Sequence, residues 1–225
     1  MVKSIILPII VFCLYGCISV TIPRDKTLII SKPKLVEPIE PEIIESVIPV
    51  IPVIIEPTSK ECLEELSDSF LGTREIGKNE DFTNPQLKEL LIEAGWKKGL
   101  AWCSFMVKGL LDHCNIPNTI TGWSPSSYNK KDVIFTDGSF KKEYSEGDII
   151  VMSLSYNKFK NNKSRYKGIG HTGIVRSIGT QSVTTDEGNT SEQPSDINQD
   201  RDGQFYTRRI RPLTSNVHLT RWKKE

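Results

Sequence analysis

From residue 61 onward, apolar and polar positions follow one period in the first half of the region and another in the second. Residues 62–70 suit a first helix, closed by Gly72. Thr83-Asn84-Pro85 predicts a sharp helix start, because a capping side chain is followed by proline at the first helical position. Leu87, Leu90, Leu91 and Ala94 then recur at helical spacing until Gly95. A third helix is expected from about Cys103, burying Met106, Val107, Leu110 and Leu111 and ending at His113-Cys114-Asn115. Beyond it the period shortens. Residues 148–154 (DIIVMSL), 171–178 (HTGIVRSI), 182–187 (SVTTDE) and 204–213 (QFYTRRIRPL) read as strands separated by glycines. Helices followed by consecutive strands predict an α+β domain with helices packed on an antiparallel sheet.

The N-terminal region follows neither period. Met1-Val2-Lys3 precedes an apolar run over 5–14 and then Leu14-Tyr15-Gly16-Cys17. A basic start, an apolar core and small residues before a cut site describe a secretory signal. Cysteine after Leu-x-Gly resembles the bacterial lipobox, in which Cys17 is lipidated and becomes the mature N-terminus. The competing reading is an uncleaved anchor, since the apolar run extended to Ile22 just reaches bilayer length. Both readings place the protein outside the cytoplasm and hold it at a membrane, in the cell envelope or periplasm. Pro33, Pro38, Pro41, Pro49, Pro52 and Pro57 then forbid a continuous helix, so 26–60 reads as a stiff tether. At ~3.1 Å per residue in polyproline-like form its reach is on the order of 100 Å. The expected organisation is therefore 1–17 signal peptide with lipobox, 18–60 Pro-rich tether and 61–225 folded domain.

Charge and cysteine count narrow the classes of function. A net charge of +1 offers no electrostatic case for nucleic acid. The five cysteines contain no CxxC pair, which argues against structural zinc. In an oxidising compartment Cys62 and Cys114 are free to pair, but sequence does not show whether they meet.

The informative placement is Cys103, at a predicted helix start in GLAWCSF. Unpaired N–H groups and the positive end of the helix dipole favour a thiolate there, and the same donors suit an oxyanion. A base is then required, and the chain has three histidines. His113 lies at the far end of the Cys103 helix, and His218 reads as part of a solvated polar tail. His171 opens a strand after KGIG, and the next strand carries Glu187. Alternation puts Thr185, Glu187 and Asn189 on one face and Asp186 on the other. If the two strands pair through a turn at Gly179-Thr180, Glu187 can orient the imidazole, completing nucleophile, base and orienting group. Spacing alone leaves a core cysteine and an ordinary strand histidine as the alternative.

AWCSFMVKGLL, EGDIIVMSL, GHTGIVRSI and TTDEGNTS, in that order, resemble the CHAP family of cysteine, histidine-dependent amidohydrolases/peptidases, which belong to the papain-like cell-wall hydrolases. The resemblance spans about 84–213. It implies a papain-like CHAP fold with Cys103 as nucleophile, His171 as base, Glu187 as orienting residue and Asn189 as a helper. It further implies peptidoglycan as partner and cleavage of an amide bond there, by an endopeptidase or N-acetylmuramoyl-L-alanine amidase. The alternative is a non-catalytic lipoprotein of the same fold that binds wall peptides or a partner. Acyl transfer in place of hydrolysis uses the same residues.

No cofactor is expected. Some relatives bind calcium near the nucleophile, but nothing comparable precedes Cys103. Residues 198–203 (NQDRDG) match the start of a calcium loop, yet Arg209 stands where its glutamate belongs, so a turn is expected and no metal. Trp96, Trp102 and Trp123 are candidates to line a substrate groove, with core packing as the rival role for each.

Overall fold

The computed structural model describes residues 57–156, 166–191 and 203–224. The signal and lipobox at 1–17, with Cys17, lie outside the described residues, as do nearly all of the tether and positions 198–202.

The helices form where local chemistry starts and stops them. Helix α1 (Ser59–Phe70) begins just before the expected boundary at 61, because Thr58 and Glu61 make a reciprocal capping box after Pro57. Helix α2 (Pro85–Glu93) is capped by Asn84, whose side chain accepts from the N–H groups of Gln86 and Leu87. Helix α3 (Cys103–His113) buries Met106, Val107, Leu110 and Leu111 as its period predicts. A disulfide joins Cys62 in α1 to Cys114 at the end of α3, with Cα atoms 5.8 Å apart. Among the described residues Cys103 is the cysteine that lies outside the bridge.

The strands among the described residues are β1 (Glu75–Ile76), β2 (Asp81–Phe82), β3 (Val133–Thr136), β4 (Ser139–Phe140), β5 (Ile149–Ser155), β6 (Ile169–Ile178), β7 (Ser182–Thr190), β8 (Phe205–Pro212) and β9 (Val217–Lys223). β1 and β2 form a small ladder, and the rest make one antiparallel sheet in the order β4-β3-β9-β5-β6-β7-β8. The fold is α+β, with helices against an antiparallel sheet. Among the described residues no helix is long and apolar enough to cross a membrane.

The continuous apolar run of β5 follows from its place near the sheet centre. Ile149 and Val151 join the cluster that holds α1, α2 and α3, whereas Ile150 and Met152 join Ile134, Phe135, Val175, Val183, Val217 and Leu219. Both faces are covered, so no alternation is needed. Strand β9 corrects the expectation of a solvated tail around His218. It lies between β3 and β5 and pairs with both, which buries His218 and Thr220. The His218 ring nitrogens are held by Thr136 Oγ1 and Ser155 Oγ, each at 2.8 Å. Alternating polar residues in VHLTRWK concealed a strand whose inward face is stabilised by hydrogen bonds.

Candidate active site

Cys103 is positioned through the residue before it. Trp102, the N-cap of α3, has non-helical torsions (φ −110°, ψ 1°) and supplies no side-chain cap. Its backbone N–H donates to Asn189 Oδ1 at 2.9 Å, and its indole Nε1 donates to Glu75 Oε2 at 2.9 Å. The ring meets Phe82 edge-on, with centroids 5.0 Å apart. Gly188 belongs to the same contact, since a Cβ there would lie 2.3 Å from the Trp102 ring. The tryptophan therefore presses on bare backbone of β7, and Cys103 follows it at a fixed place on the helix terminus.

The other half of the site is a hairpin. Strands β6 and β7 pair antiparallel, with Ile174 opposite Asp186 and Ile178 opposite Val183, around the turn at Gly179. His171 Nε2 donates to Glu187 Oε2 at 2.8 Å, with the residues 1% and 0% exposed. Gly173 makes room for the carboxylate, because a Cβ there would stand 2.6 Å from Glu187 Cγ. Thr185 Oγ1 donates to Glu187 Oε1 at 2.6 Å, as the shared strand face predicts. Arg211 of β8 completes the shell, with Nε donating to Oε1 at 2.8 Å and Nη2 donating to Oε2.

Electrostatics follow from these contacts. Burial opposes charge on His171, but hydrogen bonds to Cys103 and Glu187, and their negative charge, raise the imidazole from 6.5 to about 9. Burial also opposes charge on Glu187. The Arg211 charge, followed by the hydrogen bond from His171, more than reverses this and holds the carboxyl well below the usual range. With Nε2 committed to Glu187, the Nδ1 atom has no nitrogen or oxygen partner, and Cys103 is the other group acting on the ring. Chemically, this set can take a thiol proton onto a held imidazole and stabilise the imidazolium that results.

Cys103, His171 and Glu187 are thus brought together. Asn189 is placed differently from a direct helper of the imidazole. It adopts a positive φ of 58° where the β7–β8 register shifts, and it bonds to Trp102 and to Gly203 O. It acts on the helix terminus through Trp102. The expected groove role of Trp102 is corrected: the residue is fully buried. Trp96 is likewise in the core, 3% exposed, whereas Trp123 is 48% exposed and immediately precedes Ser124. Ser124 Oγ lies 3.6 Å from Cys103 Sγ. Asp186 points away from the histidine, towards Ser67 and Arg208.

Sequence reasoning missed Arg211 and Ser124. The signal for Arg211 was present in the strand QFYTRRIRPL, where Arg209 and Arg211 occupy buried positions while Ile210 between them is 68% exposed. Arginines at the inward positions of a strand require hydrogen-bonding or charged partners inside the protein. Among the described residues no group of three or more His, Cys, Asp or Glu is placed to hold a metal.

The chain matches no protein-family model, no curated protein and no solved structure.

Proposed function

We propose that the protein is a cysteine amidohydrolase of the papain-like CHAP type that cleaves an amide bond in peptidoglycan. The observation that carries this reading is the buried His171–Glu187 pair beside Cys103, a thiol outside the disulfide and at a helix N-terminus, in a domain whose other two described cysteines are joined. A core cysteine needs neither a charged imidazole nor a carboxylate held by arginine. In the reaction Cys103 passes its proton to His171, and the sulfur attacks the scissile carbonyl. The imidazolium protonates the leaving amine, giving a thioester, and water activated by His171 releases the acyl group. Glu187 fixes the ring and stabilises its charge. Asn189 and Glu75 hold Trp102 and, through it, the nucleophile. Trp123 is the proposed substrate contact.

The N-terminal reading joins this one. Lipidation at Cys17, or an uncleaved anchor, holds the enzyme at a membrane of the cell envelope, and the tether lets it reach the wall while keeping local concentration high. A disulfide-bonded domain is consistent with an exported protein.

The test is release of soluble fragments from purified peptidoglycan by the wild-type chain and by Cys103→Ala. The reading expects release by the first alone. A wild-type chain that co-sediments with peptidoglycan and leaves it intact would favour the non-catalytic binder.

A further inference from the structure

We propose that Ser124 is a further catalytic residue, its hydroxyl donating to the Cys103 sulfur and stabilising the thiolate before attack. The inference rests on Cys103 being the nucleophile of the reading above, and it concerns the charge on that atom.

The loop carrying Ser124 is pressed onto the first turn of α3. Ser104 Oγ donates to Thr121 O at 2.6 Å, and a Cβ on Gly122 would fall 2.1 Å from the Phe105 ring. Ser124 then opens a 3₁₀ turn (Ser124–Ser127), where Ser127 Oγ donates to Ser124 O at 2.7 Å. The turn is anchored to the sheet by a 2.8 Å contact between Ser127 Oγ and Ser153 Oγ. Ser124 is 8% exposed, so its hydroxyl must find partners within the protein.

Two acceptors lie within its reach. Gly170 O, the carbonyl preceding His171, is 3.4 Å away, and Cys103 Sγ is 3.6 Å away. The first distance is long for an O–H···O bond, whereas the second is ordinary for sulfur. A hydroxyl has one proton to give, and a charged acceptor holds it more strongly than a neutral carbonyl. When the thiol proton passes to His171, the Ser124 proton turns to Sγ. When the sulfur lone pair forms the bond to the substrate carbon, the carbonyl π pair moves onto oxygen. The negative charge leaves the sulfur, and the hydroxyl returns to Gly170 O. No proton is gained or lost at Ser124 in the cycle.

The experiment needs no substrate. The rate of iodoacetamide alkylation at Cys103 is followed against pH in the intact chain, with the modified residue assigned by peptide mass. Ser124→Ala should move the midpoint of the thiolate limb up by about 1 to 2 pH units, the effect of one hydrogen bond to a charged group. Ser124→Thr, which keeps the hydroxyl, should move it back towards wild type. Should the alanine variant fail to fold, Ser124→Gly removes the hydroxyl without adding volume. An unchanged midpoint in the folded alanine or glycine variant overturns the proposal. That result would leave the hydrolase reading standing if peptidoglycan is still cut. A shifted midpoint in a protein that releases no fragments would retain Ser124 as a thiolate donor and overturn the substrate reading.

Discussion

Glu187 Oε2 accepts from His171 Nε2 at 2.8 Å while the same carboxylate is gripped through both oxygens by Arg211. The orienting residue of the candidate site is therefore itself oriented, by a side chain on β8, an edge strand of the sheet. Replacing Glu187 by Gln removes the charge that balances the imidazolium and leaves Arg211 without its anion. Turnover should fall roughly 10²- to 10⁴-fold, and the melting temperature should fall as well. Measuring both separates this residue from one that acts in chemistry alone.

Arg211 is a positioning residue, since it touches the carboxylate and not the reacting atoms. Arg211→Met should lower kcat about tenfold to a hundredfold, the worth of a charge-assisted hydrogen bond, with KM nearly unchanged. Arg211→Lys should recover part of the loss. A change confined to KM would place the residue in substrate binding instead.

The pH dependence of stability has a definite sign. His171 is raised from 6.5 to about 9, so its charged form stabilises the folded state. That contribution is complete below about pH 6.5 and is lost as pH rises through 9. Glu187 is depressed from 4.5, so its contribution is present above that value and is lost only as the solution becomes strongly acidic. The difference in unfolding free energy between wild type and His171→Ala should therefore shrink as pH is raised from 6.5 towards 10. Urea unfolding across that range measures it, and a difference that stays flat as pH rises would show that the ring is held neutral.

Asp186 tests the strand register. Alternation correctly turns it away from His171, but the side chain is not idle on the other face. The side chain is fully buried, takes both Arg208 Nε at 2.7 Å and Nη2 at 3.0 Å, and accepts from Ser67 Oγ at 2.6 Å. Replacing the buried carboxylate breaks these hydrogen bonds at a cost of about 1 to 3 kcal/mol. Asp186→Asn should unfold at clearly lower urea concentration yet retain turnover when assayed well below its transition. Loss of turnover in the folded variant would mean that the two faces of β7 have been exchanged.

What was legible in the sequence was whatever one element could encode. Thr83-Asn84-Pro85 specifies a helix start by itself, the apolar spacing of α3 reports its buried face, and strand alternation sets Glu187 apart from Asp186. The pairing of His171 with Glu187 needed only one hairpin. Features that depend on distant strands were not legible. His218 became buried because β9 inserts between β3 and β5, and Arg211 reaches Glu187 from a third strand. Trp102 has the composition of a groove residue. Its burial depends on Glu75, Phe82, Asn189 and the bare backbone at Gly188, which no local pattern brings together.

The Cys62–Cys114 bridge spans 52 residues and ties the first turn of α1 to the end of α3. Loop-closure entropy puts its worth at about 4 kcal/mol. Reduction, or paired Cys62→Ser and Cys114→Ser changes, should lower the melting temperature. Cys103 alkylation kinetics at 25 °C should stay unchanged, because the thiol is held by β6, β7 and the Ser124 turn. A matching loss of Cys103 reactivity in the folded protein would tie the bridge to the site.

The central claim is that Cys103 carries an acyl group taken from an amide of peptidoglycan and passes it to water. Digestion of purified peptidoglycan in ¹⁸O-labelled water, followed by mass analysis of the fragments, tests it most directly. The account predicts a new amine and a new carboxyl at each cut. The carboxyl should carry a single ¹⁸O, and neither product should form with Cys103→Ala. Fragments ending in new reducing sugars, release that persists in Cys103→Ala, or no release by the wild-type chain would contradict it.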